Sequence, residues 1–142
     1  MTPALFDSSL YIAALRRGDA LRLLTGRRPR EAPIWLSAVV LEELYAGASA
    51  LAFDRVKELE REFKEEDRIL VPNADDWAQA GRVLARLAAS YGYEEIGRGR
   101  LTNDALIAIS AGRRGVVVIT TNARDFGRLA EFHPFTWRLE TP

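Results

Sequence analysis

Four residues stand where short apolar runs end or apolar helical segments begin, and a fifth lies within an apolar helical segment. Asp7 directly follows "ALF" (4–6), and Asn122 and Asp125 come just after "VVVIT" (116–120). Asp104 lies at or just before the start of a buried helix in "LTNDALIAIS" (101–110), a segment with almost nothing else polar in its body. Glu43 lies in "SAVVLEELYAG" (37–47), with Val39, Val40, Ala46 and Gly47 three and four residues away. Periodicity does not separate it from Glu42, whose neighbours Ala38, Val39, Tyr45 and Ala46 are similar. Three or four carboxylates converging without a basic partner repel one another and raise their pKa values unless a cation neutralises them. All-oxygen ligands favour a hard ion, Mg2+ or Mn2+, over zinc. The chemistry this suits is hydrolysis of a phosphodiester.

Each position also has a plain structural reading. Asp7 and Asp104 could cap helices, where the N-terminal dipole favours negative charge. Asp125 could be a first-turn residue facing solvent, and Glu43 a surface position. Only the joint pattern points to chemistry. Other chemistries are excluded more firmly: with no cysteine there is no disulfide, thiolate nucleophile or cysteine-ligated zinc. His133 is the only histidine, so a two-histidine acid/base nuclease is unavailable, and its neighbour Pro134 assigns it to a turn or extended connection with a structural or solvent-facing role.

The elements that must position these residues alternate between short apolar runs and helical patterns, the signature of a parallel sheet flanked by helices. Strands are expected at 4–6, 34–36, 68–72 and 116–120, with an edge strand in "FTWRLE". The unbroken apolar run at 116–120 predicts a central strand buried on both faces. Ser8 or Ser9 is expected to cap a first helix ended by Gly18, and Ser37 to cap a helix closed by Gly47. A short helix around 19–26 leads into the basic loop "RRPREAP". Residues 53–67 are helical and charged, with Phe53, Val56, Leu59 and Phe63 as the apolar stripe. Further helices are expected in "DDWAQAGRVLARLAASYG", with Asp75 or Asp76 at its start, and in "NARDFGRLAEF".

At 142 residues and 48% hydrophobic, the chain predicts one domain over 1–142 with a single core. Twenty basic and twenty acidic residues cancel, so any polyanion site must be local. Arg98 and Arg100, Arg113 and Arg114, and Arg27, Arg28 and Arg30 are the candidate patches. The N-terminus lacks a basic region and meets an acid at position 7, which reads as mature protein. No apolar run approaches the roughly 18 to 20 residues of a membrane span.

The stretches "LFDSSLYIAAL", "LSAVVLEELYAG", "LTNDALIAISAGRRG" and "VVVITTNARDF", in this order across nearly the whole chain, resemble the PIN-domain ribonucleases, in particular the VapC-type toxins of toxin-antitoxin modules. The resemblance implies a PIN-like α/β fold, a single central parallel sheet of about four to five strands flanked by helices. It implies Asp7, Glu43 and Asp104 as the acidic residues, with the metal at Asp7 and Asp104, and prefers Glu43 to Glu42 from the pattern "ELYAG". Ser9 matches a small residue orienting the first aspartate, and Thr120 a hydroxyl near the pocket floor. Many relatives carry an aspartate where this chain has Asn122; Asp125 is then the fourth charge and Asn122 an orienting amide. The family further implies a Mg2+- or Mn2+-dependent endoribonuclease in the cytoplasm, a homodimer, an RNA substrate and a VapB-type antitoxin as partner.

Two other readings remain. A phospho-aspartate enzyme also places an aspartate after its first strand, but it wants a second aspartate at position 9, which is serine. It also wants a lysine near the pocket, and Lys57 and Lys64, the only lysines, sit on the charged helix. A PIN-like domain kept as an RNA- or protein-binding module without catalysis predicts one acidic position lost, and Asn122 is the hint in that direction.

Overall fold

Strands buried on both faces need helices above and below them, and parallel pairing needs a crossover of a dozen or more residues between successive strands. Both conditions are met in the computed structural model, which describes residues 2–17, 33–95 and 100–140. Strands β1 (Ala4–Phe6), β2 (Ile34–Ser37), β3 (Ile69–Leu70), β4 (Val117–Thr120) and β5 (Trp137–Leu139) form one sheet in the order β3-β2-β1-β4-β5. Every pairing is parallel. Six α-helices flank it among the described residues: α1 (Ser8–Arg17), α2 (Ala38–Ala46), α3 (Ala50–Glu65), α4 (Ala74–Tyr91), α5 (Arg100–Arg114) and α6 (Ala123–Ala130). The chain has the expected α/β architecture, with five strands among the described residues.

The strand order has a direct consequence for function. From β1 the chain winds outward through β2 to β3, then returns to the other side of β1 for β4 and β5. In open α/β sheets such a reversal opens a crevice beyond the carboxyl ends of the two strands it separates. Here those strands are β1 and β4, paired Ala4 with Val117, Leu5 with Val118 and Phe6 with Ile119. One further step along that register brings Asp7 beside Thr120.

Several helix starts differ from expectation for local reasons. Helix α1 begins at Ser8, so neither Ser8 nor Ser9 precedes it, and Asp7 takes the capping position by accepting the Ser9 and Leu10 amides. Ser37 caps α2 as expected, accepting from Val39 N–H at 3.2 Å, and Gly47 closes it. Helix α3 begins at Ala50 under a Ser49 cap. Val56, Leu59 and Phe63 are buried, but Phe53 is 44% exposed and leans on Tyr45 with ring centroids 5.0 Å apart. Asp75 and Asp76 lie in the first turn of α4, as expected, and Asn73 caps it; Asp76 answers from the third helical position, and each accepts the other's backbone N–H. The short helix expected at 19–26, the basic loop after it, Gly18 and the glycine-rich 96–99 lie outside the described residues.

Helix α5 is almost wholly buried along its body, and its one buried hydroxyl, Ser110, donates back to Leu106 O at 2.6 Å. Its close approach to the segment before β5 depends on Gly112, where an added Cβ would stand 3.1 Å from both the Pro134 carbonyl oxygen and Phe135 Cβ. Phe135 is in turn packed on Phe126. Alanine would gain about 1 kcal/mol of helix propensity, but overpacking costs about 1 to 3 kcal/mol. Gly112→Ala is therefore expected to lower stability by about 1 kcal/mol in urea denaturation; a stabilised variant would show that this contact yields freely.

Candidate functional site

At the β1/β4 crevice the chain places a buried carboxylate among hydroxyls. Asp7 is 4% exposed, and its backbone N–H donates to Ile119 O at 3.0 Å, tying the end of β1 to β4. Ser9 Oγ donates to Asp7 Oδ1 at 2.5 Å, and Thr120 Oγ1 donates to Oδ2 at 2.6 Å. Burial pushes the Asp7 carboxyl above its ordinary range, with the Ser9 and Thr120 hydroxyls and the Ser9 and Leu10 amides pulling it partly back. Thr120 is fully buried and also accepts Asn122 N–H at 2.9 Å.

Asn122 and Asp125 form a second, adjoining unit. Asn122 caps α6 by accepting Asp125 N–H at 3.2 Å, while its side-chain amide donates to Asp125 Oδ2 at 2.9 Å. Asp125 is half-buried in the first turn of α6, so its negative charge sits at the favourable end of that helix. The side-chain amide of Asn122 thus orients the charge at 125, and its backbone N–H, through Thr120, connects to Asp7.

The other two acids come from helices packed nearby. Asp104 lies half-buried in the second turn of α5, because the helix starts at Arg100. The expectation that it opens the helix is corrected: it is no N-cap, so capping does not account for a carboxylate in this segment. Glu43 is half-buried on α2, which packs against both α1 and α5, and its Oε1 is shielded from solvent. Glu42 is exposed. The structure thereby separates two residues that periodicity left equivalent. Glu43 also lines a cavity of about 490 Å³ with Ile12, Leu15, Arg16, Leu44 and Ala48 among its walls.

The donor set is chemically suited to Mg2+ or Mn2+, since it offers carboxylate, amide and hydroxyl oxygens and no sulfur. The burial-raised Asp7 carboxyl is also the kind of group a nearby positive charge would steady. Among the described residues, however, no three acidic or histidine side chains stand together as a ready cage. The expected convergence of three or four carboxylates is not seen. Asp7 instead turns both oxygens to hydroxyls, and Asp125 is held by Asn122.

Residues outside the crevice clarify what it lacks. His133 is half-buried beyond α6, where its backbone N–H donates to Leu129 O and burial lowers the imidazole pKa against a weaker opposing pull from Asp76. Arg113, a candidate phosphate contact, is committed to Asp76. Arg114 lies over the Trp35 ring, 5.0 Å from its centroid. Arg27, Arg28, Arg30, Arg98 and the Arg100 side chain lie outside the described residues. Lys57 and Lys64 line a charged hollow along α3 with no part of the crevice, which removes the support a phospho-aspartate enzyme needs. Sequence reasoning overlooked Thr121, whose Oγ1 donates to Ser9 Oγ at 2.8 Å. The only signal for it was a second hydroxyl residue directly after β4.

Comparison with known proteins agrees with this architecture. The PIN domain family model matches residues 4–132. Among solved structures, the DNA-bound VapBC from Salmonella typhimurium is similar over 98% of this chain and 98% of that chain, at 24% identity and a TM-score of 0.68. VapBC2 from Rickettsia felis, bound to a DNA fragment from its promoter, is similar over 98% and 99%, at 20% identity and a TM-score of 0.63. VapBC-1 from nontypeable Haemophilus influenzae is similar over 96% of each chain, at 21% identity and a TM-score of 0.55. At these identities the likeness is one of fold. No curated protein matches the chain.

Proposed function

This chain belongs to the PIN domain family, and from that premise we propose that it is a single-domain, Mg2+- or Mn2+-dependent endoribonuclease serving as the toxin of a VapBC-type pair. The observation that carries the reading is Asp7: a carboxylate placed at the sheet's switch point, 4% exposed, with a hydroxyl donated to each oxygen. Such a group is unfavourable to bury for stability alone.

In this reading Asp7 and Asp104 hold the divalent ion, which supplies positive charge to a phosphodiester oxygen and lowers the pKa of water. Ser9 and Thr120 keep the plane of the Asp7 carboxylate fixed. Asn122 keeps Asp125 turned toward the crevice, and Glu43 or Asp125 takes the proton from the attacking water. The shielded walls around Glu43 and Asp7 limit competing hydration of these charges.

The partners in this reading are RNA as substrate, a VapB-type antitoxin and a second copy of the chain. The antitoxin is supported by the similar solved structures, which are VapBC proteins. A cytoplasmic site of action follows from an RNA target. No helix among the described residues is long and apolar enough to cross a membrane.

The test is cleavage of structured RNA with Mg2+ or Mn2+ and with a chelator. Cleavage is expected only with the ion, and Asp104→Asn is expected to lose about a hundredfold in rate, since each 1.4 kcal/mol of lost charge stabilisation is about tenfold. Equal cleavage by wild type and Asp104→Asn would show that this acidic cluster does not carry the cleavage, and absence of ion-dependent cleavage by wild type would leave the non-catalytic binding module as the better account.

A further inference from the structure

We propose that Thr121 is a positioning residue of the carboxylate site, its hydroxyl holding Ser9 so that the Ser9 proton stays directed at Asp7. The inference rests on the reading of Asp7 as a cation ligand and extends it by one residue. A hydroxyl has one proton to give and two lone pairs to accept with. A carboxylate has no proton, so in the 2.5 Å contact between Ser9 Oγ and Asp7 Oδ1 the proton belongs to serine. The 2.8 Å contact between Ser9 and Thr121 then has only one possible direction: Thr121 donates and Ser9 accepts.

This matters because a serine in the first turn of a helix has other conformations and acceptors open to it. Held from one side, Ser9 could turn away at the loss of a single hydrogen bond. With Thr121 on its lone pair, turning breaks two. The other oxygen of Asp7 is served in the same way: Thr120 donates to Oδ2 and is itself held by Asn122 N–H at 2.9 Å. Each carboxylate oxygen thus has a hydroxyl, and each hydroxyl has its own donor. Successive side chains of a strand point to opposite faces, so Thr120 and Thr121 can serve one carboxylate only because the chain bends at Thr121 as it leaves β4.

Partners that orient an ion's ligands typically change its affinity 10- to 100-fold when removed, and Thr121, acting through Ser9, is expected at about the lower end. The experiment is calorimetric titration of the full chain with Mn2+ alone, for wild type, Thr121→Val, Thr121→Ser and Asp7→Asn. Thr121→Val is expected to bind about tenfold more weakly, Thr121→Ser within about twofold of wild type, and Asp7→Asn not measurably. In RNA cleavage the Mn2+ concentration giving half-maximal rate should rise by the same factor in Thr121→Val, with the rate at saturating Mn2+ unchanged. Wild-type affinity in Thr121→Val, with binding lost in Asp7→Asn, overturns the role of Thr121 alone. Binding retained in Asp7→Asn overturns the reading of the site itself. Should Thr121→Val not fold, Thr121→Ala makes the same comparison, and equal affinity in alanine, serine and wild type overturns the proposal.

Discussion

Asp7→Asn is expected to abolish RNA cleavage while leaving a folded protein that is at least as stable as wild type at neutral pH. The loss of activity should be about a thousandfold, because charge stabilisation at such a site is worth several kcal/mol and each 1.4 kcal/mol is about tenfold. The stability expectation follows from burial. The fold raises the Asp7 carboxyl above its ordinary value, chiefly through desolvation. A carboxyl raised on folding favours the folded state when protonated, so its contribution is fully present below the ordinary carboxyl range. That contribution is lost as pH rises through the folded value. At neutral pH the ionised group therefore opposes folding, and asparagine removes that opposition while still accepting from a hydroxyl.

Urea denaturation at neutral and acidic pH checks the sign: the variant's advantage should shrink as pH falls. The divalent ion should reverse the ranking, since a ligand at about a hundred times its Kd stabilises by about 2.7 kcal/mol. Mn2+ should raise the midpoint of wild type and leave Asp7→Asn unchanged. An Asp7→Asn variant that is markedly less stable at neutral pH, or that still cleaves, is incompatible with this account.

Arg113→Ala is expected to be the most destabilising change described here, at about 3 kcal/mol, and Asp76→Asn to cost only about 1 kcal/mol. The two residues form one clamp between α4 and α5, with Arg113 Nε 3.1 and 3.0 Å from the two Asp76 oxygens and a second guanidinium nitrogen 2.9 Å from Oδ2. Arg113 also reaches Val71 O at 3.3 Å. Their environments differ: the Asp76 side chain is 3% exposed, whereas that of Arg113 is 34% exposed. Removing arginine strands a buried carboxylate, for which losses of about 3 to 5 kcal/mol are typical. Removing the charge at Asp76 leaves an arginine that can turn to water and an asparagine that can still accept at the helix start, so only about the energy of a cap is lost. For a chain of this size the Arg113→Ala loss corresponds to a fall in Tm of about 10 °C. Paired urea curves settle it, and equal losses from the two substitutions would show that solvent reaches Asp76 freely.

Much of the fold was legible in one dimension. The apolar runs at 4–6, 34–36 and 116–120 and the serine before α2 report local preferences that neighbouring segments do not override. Phe53 shows the limit: its spacing continues the stripe of Val56, Leu59 and Phe63, yet it stands outside the core beside Tyr45. Periodicity names a face, but the width of that face's contact is set by what packs on it. The acids Asp75 and Asp76 marked the start of α4 correctly, but its cap, Asn73, has no local signal that sets it apart from them.

The candidate site divides along the same line. The sequence by itself determined which chemistry was open to this protein: oxygen ligands without sulfur, one histidine, and acids placed after strands, all of it composition and local order. Only the tertiary structure decided which side chains meet. It shielded Glu43 and exposed Glu42, moved Asp104 inside its helix, and took Arg113 for Asp76. It also joined Thr121 to Ser9 across 112 positions of sequence. That contact depends on β4 lying beside β1, a pairing between segments more than a hundred residues apart, and hydrogen bonds a few ångströms long follow from that pairing and from no local pattern.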